Sequence, residues 1–307
     1  MDFSLVFNEI IVLFIIILLG YILKKKEMIN AEISKGLSDL LVEITMPALI
    51  ISSMHVQINP DIVVNMQLIS ILTAAVYIFA IFFSYAVTWL TPIPDNKKNV
   101  FIFMIVFGNV GFMGYPVLGV IYPEYGIFYG LFNNIAFNLL VWTFGVYLFT
   151  STRGEKYEIN WKYLLNNGIL SVLIGFVLLF SGWQLPAPVL GALDMVGEMT
   201  YPLSMLIIGS SLAGVHFIKI FTDKYILLLT ILKLLFIPGL LYFSLLFIDL
   251  PPIVSNVTII LTAMPCAANS VVFAEKFDRD HQFASRGVFM TTLLSLATLP
   301  IFLLLLG

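Results

Sequence analysis

The sequence predicts an all-α membrane protein of ten transmembrane helices arranged as a five-plus-five inverted repeat. Three observations carry that expectation: an apolar composition, an internal echo at a fixed offset, and the placement of the basic residues. The chain is 60% hydrophobic and 11% charged, with a mean hydropathy of +1.03, which is outside the range of a soluble domain and suited to lipid as solvent. The segment KGLSDLLVEITMP at 35–47 returns as LGALDMVGEMTYP at 190–202, with Gly, Asp, Glu, Thr and Pro each matched 155 positions later. Without a gap, the same offset lays LLGYIL at 18–23 on LIGFVL at 173–178, and PEYG at 123–126 on DRDH at 278–281. A register kept through so much of each half marks a duplicated unit.

A helix needs about 20 apolar residues to cross a hydrocarbon core of about 30 Å. Such stretches run over 4–23, 33–54, 67–90, 100–121 and 126–149, then over 161–181, 189–214, 225–248, 253–274 and 283–306. These are spans 1 to 10; spans 2, 4, 7 and 9 are interrupted by polar residues, Gly or Pro. Residues 1–149 and 161–307 form the two repeats, joined by a short charged hinge at 150–160. Five crossings is an odd number, so the second copy enters the membrane upside down relative to the first.

The basic residues test that count independently, because Lys and Arg in short loops favour the cytoplasmic side. Loops after odd-numbered spans hold Lys24, Lys25, Lys26 and Lys35; Lys97 and Lys98; Arg153, Lys156 and Lys162; Lys219 and Lys224; Lys276, Arg279 and Arg286. Every Lys and Arg except Lys233 falls there, so both termini are expected outside a plasma membrane. Span 1 has KKK behind it and no basic residue ahead of it, the reverse of a cleavable signal peptide, and reads as a retained anchor. Cys266 is the single cysteine, which excludes internal disulfides and cysteine-based metal clusters.

Inverted repeats recur in secondary transporters, whose sites lie near the midplane on interrupted helices. Spans 4 and 9 hold corresponding positions in the two halves. Span 4 reads GNVGFMGYP at 108–116, with Asn109, Gly111, Gly114 and Pro116 in mid-span; span 9 reads AMPCAANS at 263–270, with Pro265 and Asn269. Proline removes a backbone donor and clashes with the preceding turn, and broken backbone at that depth must be buried in protein or face a water-filled cavity.

Those two motifs, with EMTYPLSMLIIGSSLAG at 198–214 and TTLLSLATLP at 291–300, resemble the auxin efflux carrier family, whose bacterial members include malate and malonate permeases and whose plant members are the PIN auxin exporters. The resemblance covers essentially the whole chain. It implies a scaffold of spans 1, 2, 6 and 7, and a transport core of spans 3 to 5 and 8 to 10. Spans 4 and 9 would cross at their prolines, as in sodium–proton antiporters and bile-acid symporters of similar fold. It further implies elevator-like transport of small organic anions. The long central loop of many plant members has no counterpart at 150–160.

Asn109 and Asn269 are the leading substrate-binding candidates, since an amide at a helix break can donate to a carboxylate or cap the freed backbone. Asn133 and Asn134 in span 5 stand where antiporters of similar fold carry an acidic pair, and serve either the substrate or interhelical hydrogen bonding. Lys233 lies nine residues beyond Lys224, about 13 Å along a helix. It would attract an anion, stand in for a coupling cation, or snorkel to the interface. Asp39 with Glu43, and Asp194 with Glu198, are i, i+4 carboxylate pairs; Glu43 and Glu198 are the candidates for carrying a proton, with a hydrated helix end as the alternative.

His55, His216 and His281 lie at loop borders and no HExxH or GxSxG motif occurs, so an enzyme is not expected. A sodium- or proton-coupled symporter of bile-acid type and an anion channel remain as alternatives. The partners expected are the organic anion and the lipid bilayer, with no cofactor, metal or nucleic acid and with room for a homodimer through the scaffold spans.

Overall fold

The computed structural model describes residues 3–56, 59–150, 167–213, 223–277 and 279–306; the 150–160 hinge beyond Thr150 and His216 lie outside them. The described residues are helical apart from their connections and one isolated β-bridge. The helices are α1 (Phe3–Lys25), α2 (Ala31–Ser53), α3 (Pro60–Leu90), α4 (Asp95–Val106), α5 (Val110–Ile121), α6 (Gly126–Thr150) and α7 (Asn167–Ser181), followed by α8 (Ala187–Glu198), α9 (Thr200–Leu212), α10 (Lys224–Leu245), α11 (Pro252–Thr262), α12 (Asn269–Lys276) and α13 (His281–Leu306). Among them α2, α3, α6, α10 and α13 are each long and apolar enough to cross a membrane alone. Trp89 and Phe247 are 84% and 89% exposed, as lipid-facing side chains are.

Local chemistry explains the ends. The Asn30 side chain accepts the Ile33 N–H at 2.8 Å and starts α2. The Asn59 side chain does the same for the Ile62 N–H at 2.8 Å, with Pro60 in the first turn. That cap starts α3 seven residues ahead of the expected 67, because Asp61 and Asn65 interrupt the apolar run without interrupting the helix. α7 ends before Gly182, whose φ of 66° places it in the left-handed region.

Among the described residues four helices each contain one widened π turn: Leu41–Thr45 in α2, Val110–Gly114 in α5, Val141–Gly145 in α6 and Leu232–Phe236 in α10. Three have a proline just after them: Pro47, Pro116 and Pro238. A proline ring clashes with the carbonyl four residues back, here that of Glu43, Phe112 or Leu234, in the middle of each π turn. The extra residue per turn moves that carbonyl aside, and the helix continues.

The chain groups into two compact units. Unit 1 comprises 1–67, 111–132 and 161–214; unit 2 comprises 68–110, 133–160 and 215–307. In unit 1, α1 and α9 pack backbone to backbone. A Cβ on Gly20 would lie 2.3 Å from the Leu206 carbonyl oxygen, and one on Gly209 would lie 1.9 Å from that of Ile17, the small-residue packing typical of membrane helices. Thr200 donates its hydroxyl to Thr45 at 3.0 Å, both buried; the residues matched by the 155-residue offset thus bond to one another.

Unit 2 is held by aromatic packing. Phe103 lies 4.5 Å from Phe107, 5.3 Å from Phe149 and 5.4 Å from Phe273, centroid to centroid, and Phe137 meets Phe107 edge-on at 5.5 Å. These contacts pin the end of α4 between α6 and α12, each adding about 0.5–1.5 kcal/mol beyond area burial.

Candidate functional site: paired helix breaks in unit 2

Within unit 2, α4 and α11 both stop inside apolar runs. α4 ends at Val106 as Phe107 turns extended, at φ −100° and ψ 116°. α11 ends at Thr262, and 263–268 is not helical before α12 begins at Asn269. The two breaks lie antiparallel against each other, with Gly108 opposite Cys266. The Asn109 N–H donates to the Pro265 carbonyl at 2.7 Å, and the Ala267 N–H donates to the Phe107 carbonyl at 3.0 Å. Each break satisfies backbone groups that the other exposes, as burial demands.

The crossing therefore involves one proline rather than two. Pro265 lacks an N–H and contributes its carbonyl. Pro116 is at the first regular turn beyond the π turn of α5, seven residues past Asn109, in unit 1. Thr291 on α13 steadies the second break, its hydroxyl accepting the Cys266 N–H at 3.2 Å.

Asn109 is buried and Asn269 half-buried. Lys233, in the π turn of α10, is 4% exposed and, among the described residues, the only charged side chain in the buried class. Its Nζ donates to the Ile105 carbonyl at 3.1 Å, so it turns into unit 2 rather than snorkelling. It lies beside Gly108, where a Cβ would be 3.4 Å from Lys233 Nζ.

An ion pair also holds α4 to α10, and a second joins α10 to α13. Asp223 caps α10 by accepting the Tyr225 N–H at 3.0 Å, and it pairs with Lys97 of α4 at 2.9 Å and with Arg286 of α13 at 3.9 Å. Partial burial pushes the Asp223 carboxyl up, but hydrogen bonds from Lys97 and the Tyr225 N–H, with both cations, hold it below the usual carboxylate range. Lys97 also lies 5.1 Å over the Phe283 ring.

Asn133 and Asn134 are buried. The Tyr77 hydroxyl donates to Asn133 Oδ1 at 3.3 Å, and the Tyr77 ring lies 6.2 Å from that of Phe107 at the break. Asn138 donates to Asn134 Oδ1 at 3.1 Å. Tyr77, Thr291 and the Ile105 carbonyl were not legible as parts of this arrangement, since only the folded contacts give them roles.

Gly111, Gly114, Glu43 and Glu198 belong to unit 1. A Cβ on Gly111 would lie 3.3 Å from Met46 Cε. Glu43 is exposed and accepts a hydrogen bond from Asn167. Glu198 is exposed too and, with Asp194, His55, Ser52 and Tyr201, lines a polar cavity of about 430 Å³ in unit 1. Among the described residues, no three His, Cys, Asp or Glu side chains are grouped to hold a metal ion.

The chain matches the model of a family described as membrane transport protein over residues 5–303. It is similar to an uncharacterized transporter of Methanocaldococcus jannaschii, at 21% identity over 96% of both chains. It is also similar to an uncharacterized transporter of Methanothermobacter thermautotrophicus, at 25% identity over 94% of both. With that match across nearly its full length and a run of apolar helices, the chain belongs to the membrane transport protein family, that of the auxin efflux carriers, and is a multi-pass membrane transporter.

Proposed function

We propose that the chain is a secondary transporter of small organic anions of the malate, malonate or auxin-like carboxylate class, working by elevator-type alternating access in the plasma membrane with both termini outside. The observation that carries this reading is the reciprocal pairing of the two helix breaks, with buried Asn109 and Lys233 beside it. An anion needs donors in a dehydrated place free of uncompensated negative potential; the amides supply the donors and the buried ammonium offsets the negative potential of the helix end beside it. In this reading Asn109, Asn269 and Lys233 meet the substrate, Asn133 and Asn134 support them, and Gly111, Gly114, Pro116 and Pro265 shape the backbone.

The five-plus-five repeat, 1–149 and 161–307, is supported by the Thr45–Thr200 hydrogen bond between offset-matched residues. A scaffold of spans 1, 2, 6 and 7, with a homodimer built on it, is supported by the grouping of α1, α2, α7, α8 and α9 in unit 1. The exposure of Glu43 and Glu198 favours a hydrated role over proton carriage.

The test is uptake into proteoliposomes with a panel of mono- and dicarboxylates, with and without pH and sodium gradients. Uptake should saturate and show counterflow, which a channel would not. Asn109→Ala and Asn269→Ala should abolish it while leaving folded protein; full activity in both variants overturns the site assignment.

A further inference from the structure

Interrupting two helices in a dry core creates an electrostatic problem as well as a hydrogen-bonding one. Each C-terminal end carries about −0.5 elementary charge on its unsatisfied carbonyls. The ends of α4 and α11 therefore each add negative potential, in a region where the described acidic residues contribute no buried carboxylate. Lys233 is bonded at the first and lies near the second. Its Nζ donates to Ile105, in the last turn of α4, at 3.1 Å. The point where a Cβ on Gly108 would sit is 3.4 Å from Lys233 Nζ and 3.5 Å from the carbonyl oxygen of Leu261, in the last turn of α11. The ammonium, bonded to the Ile105 carbonyl, and the Leu261 carbonyl thus both lie beside a residue that has no side chain.

We infer that Lys233 is a built-in counter-ion for the C-terminal ends of both broken helices, occupying the place where a free monovalent cation such as sodium would otherwise bind. A coupling cation drives transport only by binding one state of the cycle better than another. The ammonium is tethered to α10 and does not exchange with sodium, so no sodium ion is coupled to transport at this place. That consequence rests on the transporter reading above; the occupancy of the carbonyl ends by Lys233 does not, and it can be measured without substrate.

The experiment is thermal unfolding of the purified full chain in nanodiscs across a sodium series, against choline at equal ionic strength, for the wild type and three variants. The wild type should melt at the same temperature in both salts, and K233R, which keeps the charge, should behave likewise. K233Q removes the ammonium and offers an oxygen to a cation beside the Ile105 carbonyl. It should melt lower in choline and regain at least half of the loss in sodium. K233M offers no oxygen and should melt lower without regaining stability. A merely structural lysine would lower the melting temperature without the sodium response.

Sodium-specific stabilisation of the wild type, or a K233Q that ignores sodium, overturns the proposal. Should K233Q not fold in choline, its folded yield in sodium against choline becomes the readout, and equal failure in both overturns it. Absence of carboxylate uptake by the wild type would sink the organic-anion reading and leave this result standing.

Discussion

The Asp223 cluster offers a perturbation that separates charge from capping. Asp223→Asn keeps a side-chain oxygen for the Tyr225 N–H, because Asn caps helices about as well as Asp, and it removes the charge that meets Lys97 at 2.9 Å and Arg286 at 3.9 Å. The Lys97 and Asp223 side chains are 18% and 12% exposed, between the exposed pairs worth about 0.2–1 kcal/mol and the buried ones whose breakage costs about 3–5 kcal/mol. A loss of about 1–2 kcal/mol follows, reduced by the exposure that remains. Equilibrium unfolding in mixed micelles, with Lys97→Gln and the double variant completing a cycle, measures it.

The sign with pH is fixed. The folded-state carboxyl is held below its ordinary value, so its contribution is present above the unfolded pKa of about 3.9 and fades as pH falls through the lower folded value. Wild type should therefore lose stability in that acid window, and D223N should lack this component of the loss. Strict additivity of D223N and K97Q would refute the reasoning, as would D223N matching wild type at neutral pH and low salt.

Gly209→Ala should destabilise by about 1–3 kcal/mol, since the new Cβ would meet the Ile17 backbone at 1.9 Å and force α1 from α9. Gly239→Ala, where nothing lies within 4 Å, should be neutral or stabilise by roughly 0.5–1 kcal/mol; the same unfolding assay compares the two. Tyr77→Phe removes the donor that orients Asn133. It should cost about 0.6 kcal/mol and raise the uptake KM more than it lowers the maximal rate, whereas unchanged kinetics would remove Asn133 from the site.

Much of the helical order was legible because lipid imposes one rule, an apolar run long enough to cross, and caps and prolines mark the ends. The α3 start lies seven residues ahead of the apolar run because Asp61 and Asn65 lower the hydropathy there, while Asn59 caps the helix regardless. Three of the π turns have a sequence cause in the proline that follows. The one at Val141–Gly145 has no such proline; there the absent Cβ of Gly145, which would lie 2.8 Å from Phe103 Cε2, leaves room for the ring.

Composition and the 155-residue echo determined an all-helical membrane protein, and the broken motifs in spans 4 and 9 marked the two segments proposed to carry its site. Tertiary structure decided how those segments meet: Gly108 against Cys266 rather than proline on proline, and Lys233 turned onto Ile105 rather than toward an interface. Hydropathy is a sum over neighbours along the chain, so it is written in the sequence. The partner of an orphaned carbonyl is chosen across the fold, between residues 128 positions apart, and only packing can select it.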